Sequence, residues 1–263
     1  MISLFKENKY ERLLEQFIHA HTNYHMMNQI GEGSYGIAYL LIHNETGEKA
    51  VLKRLKSKHR HTTNQQKFLQ EVTFLKRLAT LPVPKVFTEG FIEELPFYIM
   101  EHIEGDTFER AIFERNERFS VADALTKTEE LLTILIRMHE QGIVHRDLRM
   151  PNIILKNNQL TIIDFGLATT IDPTICVNTI DNPKKAASPL SDLYAVGHFM
   201  LFLLYSSYNP TSKKSRSWQE ELELPTILQN YIERLLMLQS PFLDASTAKQ
   251  ALQIVKEASY KTF

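Results

Sequence analysis

Cysteine is nearly missing from these 263 residues: Cys176 stands alone. A single thiol cannot close an internal disulfide, which excludes a disulfide-stapled fold and points to a reducing compartment. An excess of one charge is missing too. Thirty basic and 31 acidic residues leave a net charge of −1, without the strong basic bias of a dedicated nucleic-acid or polyanion binder, so no nucleic-acid partner is expected. Long hydrophobic runs are also lacking. The longest strongly apolar stretch, Phe199 to Tyr205, cannot span a bilayer and reads as a buried helix. Lys6, Glu7, Asn8 and Lys9 interrupt the start, so no cleaved leader is predicted. Internal repeats and low-complexity tracts do not occur. What is present is ordinary: 43% apolar and 23% charged residues exclude wholesale disorder. The length suits one large domain or two intimate lobes, and the expectation is a soluble, cytoplasmic protein.

Tyr10, Leu13, Leu14, Phe17 and Ile18 line one helical face, with Glu11, Arg12, Glu15 and Gln16 opposite. This amphipathic helix packs on its own domain or meets a partner. Strand patterns follow at Met26–Ile30, Ile37–His43, Ala50–Leu55, Val86–Phe91 and Phe97–Glu101, interrupted by a helix over about 63–79. After Gly105 the pattern turns helical, with a long helix from Val121 to Gln141 stopped by Gly142. Two short strands, Ile153–Leu155 and Leu160–Ile163, flank Asn157-Asn158, a hairpin signal. Helices return from Ser191 onward. A strand-rich half followed by a helix-rich half predicts an α+β chain with two lobes and a cleft.

Gly31-Glu-Gly-Ser-Tyr-Gly36 lies between two predicted strands. Glycines there let backbone N–H groups approach phosphate oxygens closely. Alone the string is a weak signal, and a ligand-free hairpin serves equally well. A dinucleotide-binding fold would open a helix next, whereas here a strand follows. Lys53 ends the apolar run Ala50-Val51-Leu52, where a lysine needs an anion. Glu71 shares a helical face with Phe68 and Leu75 and is the candidate partner. Further on stand His145-Arg-Asp-Leu-Arg-Met-Pro-Asn152 and Asp164-Phe-Gly166. Asp147 is suited to orient or deprotonate an attacking hydroxyl, and Asn152 and Asp164 offer the oxygens that Mg²⁺ prefers.

With these strings in order, roughly residues 26 to 258 resemble a eukaryotic-type (Hanks-type) protein kinase, similar in size to small soluble bacterial serine/threonine kinases. The resemblance implies a bilobal fold: an N-terminal helical extension over 1–25, a β-rich lobe over 26–102 and a mainly helical lobe over 103–263. It implies ATP and Mg²⁺ as cofactors and phosphoryl transfer to a protein Ser or Thr hydroxyl, the kinase itself in trans included. Gly31, Gly33 and Gly36 would cover the phosphates. Lys53, paired with Glu71, would contact them. Ala38, Val51, Ile154 and the main chain of Glu101 and Ile103 would hold adenine. Asp147 and Arg149 would serve the transfer, with Asn152 and Asp164 on metal. His145 would pack beneath Phe165, and Asp192 to Gly197 would begin the helix supporting the catalytic loop. Autophosphorylation is expected within 164–189, at Thr174 or Thr179 before Thr169, Thr170 or Ser188, with Arg146 to receive the phosphate.

The sequence also departs from the family pattern. Ala38 and Val51 stand where Val and Ala are usual, a near volume-conserving exchange. Arg149 replaces the usual Lys of serine/threonine kinases, so this loop alone leaves the acceptor hydroxyl open. The stretch from Asp164 to Asp192 is short and lacks Ala-Pro-Glu, and Asp244 stands where the pairing Arg would be. Without that tie the segment is expected to open more readily than the catalytic loop. A small-molecule kinase and a non-catalytic nucleotide-binding scaffold are the rival readings. The basic run from Lys53 to His61 reads as a solvated strand-to-helix connection, or alternatively as a phosphate or nucleic-acid patch. Cys176 is an incidental thiol or a redox switch. The remaining histidines are expected mostly at the surface.

Overall fold

The computed structural model describes residues 2–33, 35–60, 62–177, 180–209 and 216–259. Two compact units divide the chain, residues 1–103 and 104–263. The first is built on a five-stranded antiparallel sheet: β1 (Tyr24–Glu32), β2 (Gly36–His43), β3 (Lys49–Leu55), β4 (Val86–Ile92) and β5 (Leu95–Glu101), in the order β1-β2-β3-β5-β4. Helix α1 (Ile2–His21) precedes it, and α2 (Thr62–Arg77) joins β3 to β4.

Alternation in β3 decides what each face carries. Ala50, Leu52 and Arg54 point one way, Val51 and Lys53 the other. The first set meets α1, through Arg54–Glu7 at 2.6 Å, while Phe17 of the same helix packs edge-on against Phe97 of β5. The second set meets α2, through Lys53–Glu71 at 2.8 Å, with Phe68 of that helix against Tyr98. The sheet is therefore covered by one helix on each face. Leu14 and Ile18 of α1 are fully buried, each contributing about 1.5–3 kcal/mol of transfer free energy. The amphipathic stripe is thus spent on its own unit.

The second unit centres on α4 (Val121–Glu140) and α5 (Pro189–Ser206), with α3 (Phe108–Phe113), α6 (Trp218–Glu221), α7 (Thr226–Leu235) and α8 (Ala245–Ser259). A Ser120–Asp123 capping box starts α4, and Gly142 at φ +70° follows its end, as the sequence predicts. Its strands are short. β6 (Asp106–Thr107), β8 (Ile153–Lys156) and β9 (Gln159–Ile162) form one ribbon, and β7 (Ile143–Val144) pairs with β10 (Thr169–Thr170). Asn157 and Asn158 lie at φ +49° and +64°, the left-handed pair of a tight hairpin turn. Helix α5 starts two residues earlier than expected from the apolar pattern, because Ser188 caps it and Pro189 occupies its first turn. Among the described residues, no helix is long and apolar enough to cross a membrane.

Candidate active site

In the first unit, β2–β3 register places Ala38 opposite Lys53 and Leu40 opposite Val51. Opposite residues share a face, so Ala38, Val51 and Lys53 lie on the side that faces α2. Lys53 Nζ donates to both Glu71 oxygens, at 2.8 and 3.0 Å. Glu71 is 3% exposed and Lys53 17%, so the pair is largely desolvated and the cation is held in one place. The glycine loop joins β1 to β2, with Gly33 N–H donating to Gly36 O at 2.9 Å. A Cβ on Gly36 would sit 3.1 Å from the Arg54 carbonyl and 3.3 Å from Lys53 Cε. Close passage over β3 is what requires glycine there. Gly31 pairs with Ala38, Gly33 is exposed, and Ser34 lies outside the described residues. At the other edge of this face, Glu101 ends β5 with its N–H on Lys85 O at 2.8 Å, and Ile103 is buried.

Within the basic run, Arg54 and Lys56 are neither solvated nor open to an anion, whereas Lys58 and Arg60 are exposed, as a solvated connection requires. Arg54 is 3% exposed and paired with Glu7, and Lys56, also buried, meets Glu32 of the glycine loop at 2.6 Å. Their carboxylate partners lie far along the chain, which local pattern cannot reveal.

In the second unit, the catalytic-loop string is fixed by one buried carboxylate. Asp192 accepts the main-chain N–H groups of His145 at 2.9 Å and Arg146 at 2.8 Å, while His139 Nε2 lies 2.9 Å away. Burial raises the Asp192 pKa, but these donors outweigh it, so the carboxyl stays below the usual aspartate range. Sequence reasoning placed Asp192 on the supporting helix but missed its bonds and His139. The His145 ring stands edge-on to Phe165 at 4.6 Å. Its Nδ1 accepts Asp147 N–H at 3.2 Å, which leaves the proton on Nε2, facing Ile163 O at 3.3 Å. Desolvation, the largest influence, lowers this histidine's pKa. Arg146 and Asp164 both adopt positive φ, +66° and +61°, conformations that L-residues seldom hold without support.

Asp147 is gripped from two sides. Arg149 Nε and Nη2 donate to its two oxygens at 2.6 and 3.0 Å, and Asn152 Nδ2 donates to Oδ2 at 2.9 Å and to the Asp147 carbonyl at 2.8 Å. Asn152 O accepts Ile163 N–H at 2.9 Å, joining the metal candidate Asn152 to the backbone just before Asp164. Because Nδ2 of Asn152 is committed, its carbonyl oxygen is the atom it can offer a cation. The donors fit a hard ion such as Mg²⁺. Among the described residues no three His, Cys, Asp or Glu side chains cluster around one point; most of such an ion's ligands would come from phosphate and water, as Mg²⁺ prefers. Ile154 is buried in β8 beside this loop, paired with Thr161 and Thr107.

The segment after Asp164 is held by main-chain bonds that the sequence did not reveal. Ile171 N–H donates to Gly142 O at 2.9 Å, and Asp172 N–H reaches Ala187 O at 2.8 Å, closing the loop on itself. These bonds tie the segment at residues 171, 172 and 187, where the Glu–Arg tie is missing. Asp244, where the Arg would stand, instead accepts Thr247 N–H at 2.7 Å and caps α8. Thr174 donates its N–H and hydroxyl to Asp172, Cys176 is exposed, and Thr179 lies outside the described residues.

Known proteins resemble this chain over nearly its whole length. The protein kinase domain model matches residues 24–258. The chain is 30% identical over 252 residues to the probable serine/threonine-protein kinase YbdM of Bacillus subtilis (strain 168), covering 95% of this chain and 96% of that one. It is 25% identical over 243 residues to serine/threonine-protein kinase Nek6 of Oryza sativa subsp. japonica, covering 88% of this chain but 43% of the relative. It is 33% identical over 148 residues to calcium-dependent protein kinase 4 of Plasmodium berghei (strain Anka), covering 53% and 28%. Helix α1 precedes the matched region. With its catalytic-loop string built around Asp147, this chain belongs to the protein kinase domain family.

Proposed function

We propose that this chain transfers the γ-phosphoryl group of ATP to a serine or threonine hydroxyl of a protein. The observation that carries the reading is Asp147, held by Arg149 and Asn152 so that its carboxylate has one orientation. Such transfer depends mainly on positioning and on electrostatic stabilisation of charge developing on the phosphoryl oxygens. In this reading Lys53, steadied by Glu71, neutralises phosphate oxygens, and the loop of Gly31, Gly33 and Gly36 offers N–H groups to them. Ala38, Val51, Ile154 and the main chain of Glu101 and Ile103 take the base. Asn152 and Asp164 would hold Mg²⁺, which when bound offsets phosphate charge. Asp147 orients the acceptor hydroxyl and takes its proton, while Arg149 compensates negative charge beside it.

Names of relatives favour serine or threonine as acceptor and a protein as substrate. Transfer to a second copy of the chain belongs to the same proposal, with Thr174, exposed in the segment, as an acceptor. A small-molecule acceptor is the second reading, favoured by the short segment that runs from its Asp172–Ala187 closure straight into α5.

The test is incubation of purified protein with labelled ATP and Mg²⁺, alone and with protein acceptors, followed by mapping of modified residues. Phosphoserine or phosphothreonine formed by the wild type and lost in Asp147→Asn is the expected result. Nucleotide binding without transfer under all conditions would overturn the reading.

A further inference from the structure

We infer that Glu7, on the helix preceding the family-matched region, is a positioning residue for the nucleotide: it holds the turn at 56–59, and that turn holds the glycine loop. The inference rests on the phosphotransfer reading above and adds a part to the same site.

Both oxygens of Glu7 are spent on two consecutive pieces of chain. Oε2 accepts from Arg54 Nη1 at 2.6 Å, while Oε1 accepts the Ser57 N–H at 2.8 Å and the Ser57 hydroxyl at 2.7 Å. Burial of Glu7 opposes ionisation, but the guanidinium and the serine donors outweigh it and keep the carboxyl below its ordinary range. Arg54 follows Lys53 directly on β3, so a fixed guanidinium on one face fixes the strand that carries the lysine on the other. Its other hydrogen-bond partners, Tyr39 Oη at 3.1 Å, the Leu55 carbonyl at 3.3 Å and the Glu7 main-chain carbonyl at 3.5 Å, are neutral. Glu7 supplies the anion that this buried cation needs.

Residues 57–59 form a single 3-10 turn, and Ser57 is buried. The same turn reaches forward to the glycine loop. Lys56 N–H donates to Tyr35 O at 2.8 Å, Lys56 Nζ meets Glu32 at 2.6 Å, and the His59 and Tyr35 rings lie 5.1 Å apart. Glu32 sits between Gly31 and Gly33. The contacts therefore run in series from Glu7 to Ser57, through adjacent Lys56, to Glu32 and Tyr35. Lys9–Glu93, by contrast, is an exposed pair elsewhere on α1 that touches neither the turn nor the loop.

A series of contacts has a recognisable signature. Breaking either link should release the loop, and breaking both should add little, because contacting elements of one network are non-additive. The full chain is compared as wild type, Glu7→Gln, Lys56→Met, the double variant and Lys9→Ala, measuring KM for ATP, kcat, ATP affinity by calorimetry and the thermal midpoint. Glu7→Gln and Lys56→Met should each raise KM for ATP on the order of fivefold, with kcat within about twofold. The double variant should match the worse single one, and Lys9→Ala should match wild type. A merely structural role would instead lower the midpoint and the active fraction while leaving KM unmoved, and that result overturns the inference. So does multiplication of the two effects in the double variant. Should Glu7→Gln fail to fold, Ser57→Ala keeps the Arg54 pair and decides: KM about twofold higher supports the relay, and unchanged KM overturns it. Wild type that binds no ATP overturns the phosphotransfer reading as well, whereas active wild type with unmoved variants overturns this inference alone.

Discussion

Arg149 grips both carboxylate oxygens of Asp147, through Nε at 2.6 Å and Nη2 at 3.0 Å. The guanidinium is 66% exposed, so the pair contributes little to folding, about 0.2–1 kcal/mol. Its effect is on orientation, which a point-charge ammonium supplies less well than a planar fork. Arg149→Met should therefore lower kcat by roughly 10²-fold while moving stability by no more than about 1 kcal/mol. Arg149→Lys should fall between. Steady-state kinetics beside urea unfolding checks both, and parallel losses of activity and stability would contradict the assignment.

Asp147 and Asp164 should fail in different ways. Asp147→Asn leaves the proposed metal ligands Asn152 and Asp164 in place and should retain Mg²⁺-dependent ATP binding while losing most turnover. Asp164→Asn should weaken nucleotide binding when Mg²⁺ is present and change it little when Mg²⁺ is withheld. Calorimetry that finds equal ATP affinity for the two variants with Mg²⁺ would reject this division of roles.

Acid should destabilise the second unit in two windows. His145 is buried, and desolvation holds its pKa below the ordinary histidine value of 6.5. The unfolded chain then binds the proton more readily, so stability is complete above about pH 6.5 and falls as the pH drops toward the folded value. Asp192 is also depressed, below 3.8. Its contribution is present above that pH and is lost on further acidification through the folded value. Between pH 7 and 5, urea unfolding of wild type should lose stability faster than unfolding of His145→Phe, by at most about 1.4 kcal/mol per pH unit. Equal slopes would mean that His145 titrates normally.

Ala38 and Val51 share the α2-facing side of β2 and β3 one register step apart. If they jointly roof the base, Ala38→Val should overfill the space and Val51→Ala should empty it. The double variant should then recover about 0.5–3 kcal/mol of ATP binding relative to the sum of the single changes. Additive losses would mean that the two side chains do not meet a common ligand.

The elements with strong local signals were readable from the chain: the Asn157-Asn158 hairpin from two residues tolerant of positive φ, the end of α4 from Gly142, and the Lys53–Glu71 pair from a lysine in an apolar strand before a helix with one carboxylate on its apolar face. What escaped reading has no local code. Arg54 looks like part of a solvated basic run until Glu7, 47 positions earlier, is brought to it. The two-residue strands β7 and β10 are too short for alternation to register, and the Asp172–Ala187 closure uses main-chain groups that every sequence carries. Asp244 was legible as a missing arginine but not as a helix cap.

Asp192 takes hold of the catalytic loop by main-chain hydrogens, not by the side chains of His145 and Arg146. Every residue except proline presents those hydrogens. Mutational tolerance around the loop should accordingly be lopsided. Position 146 is free to exchange its side chain within the limit that φ +66° sets against β-branched residues, whereas position 145 is not, because His145 Nδ1 accepts the Asp147 N–H and its ring packs on Phe165. Position 192 has no such latitude, since shortening, lengthening or neutralising its carboxylate strands two buried N–H groups at once. The backbone before Asp147 thus depends on one remote carboxylate and not on the identity of the residue at 146.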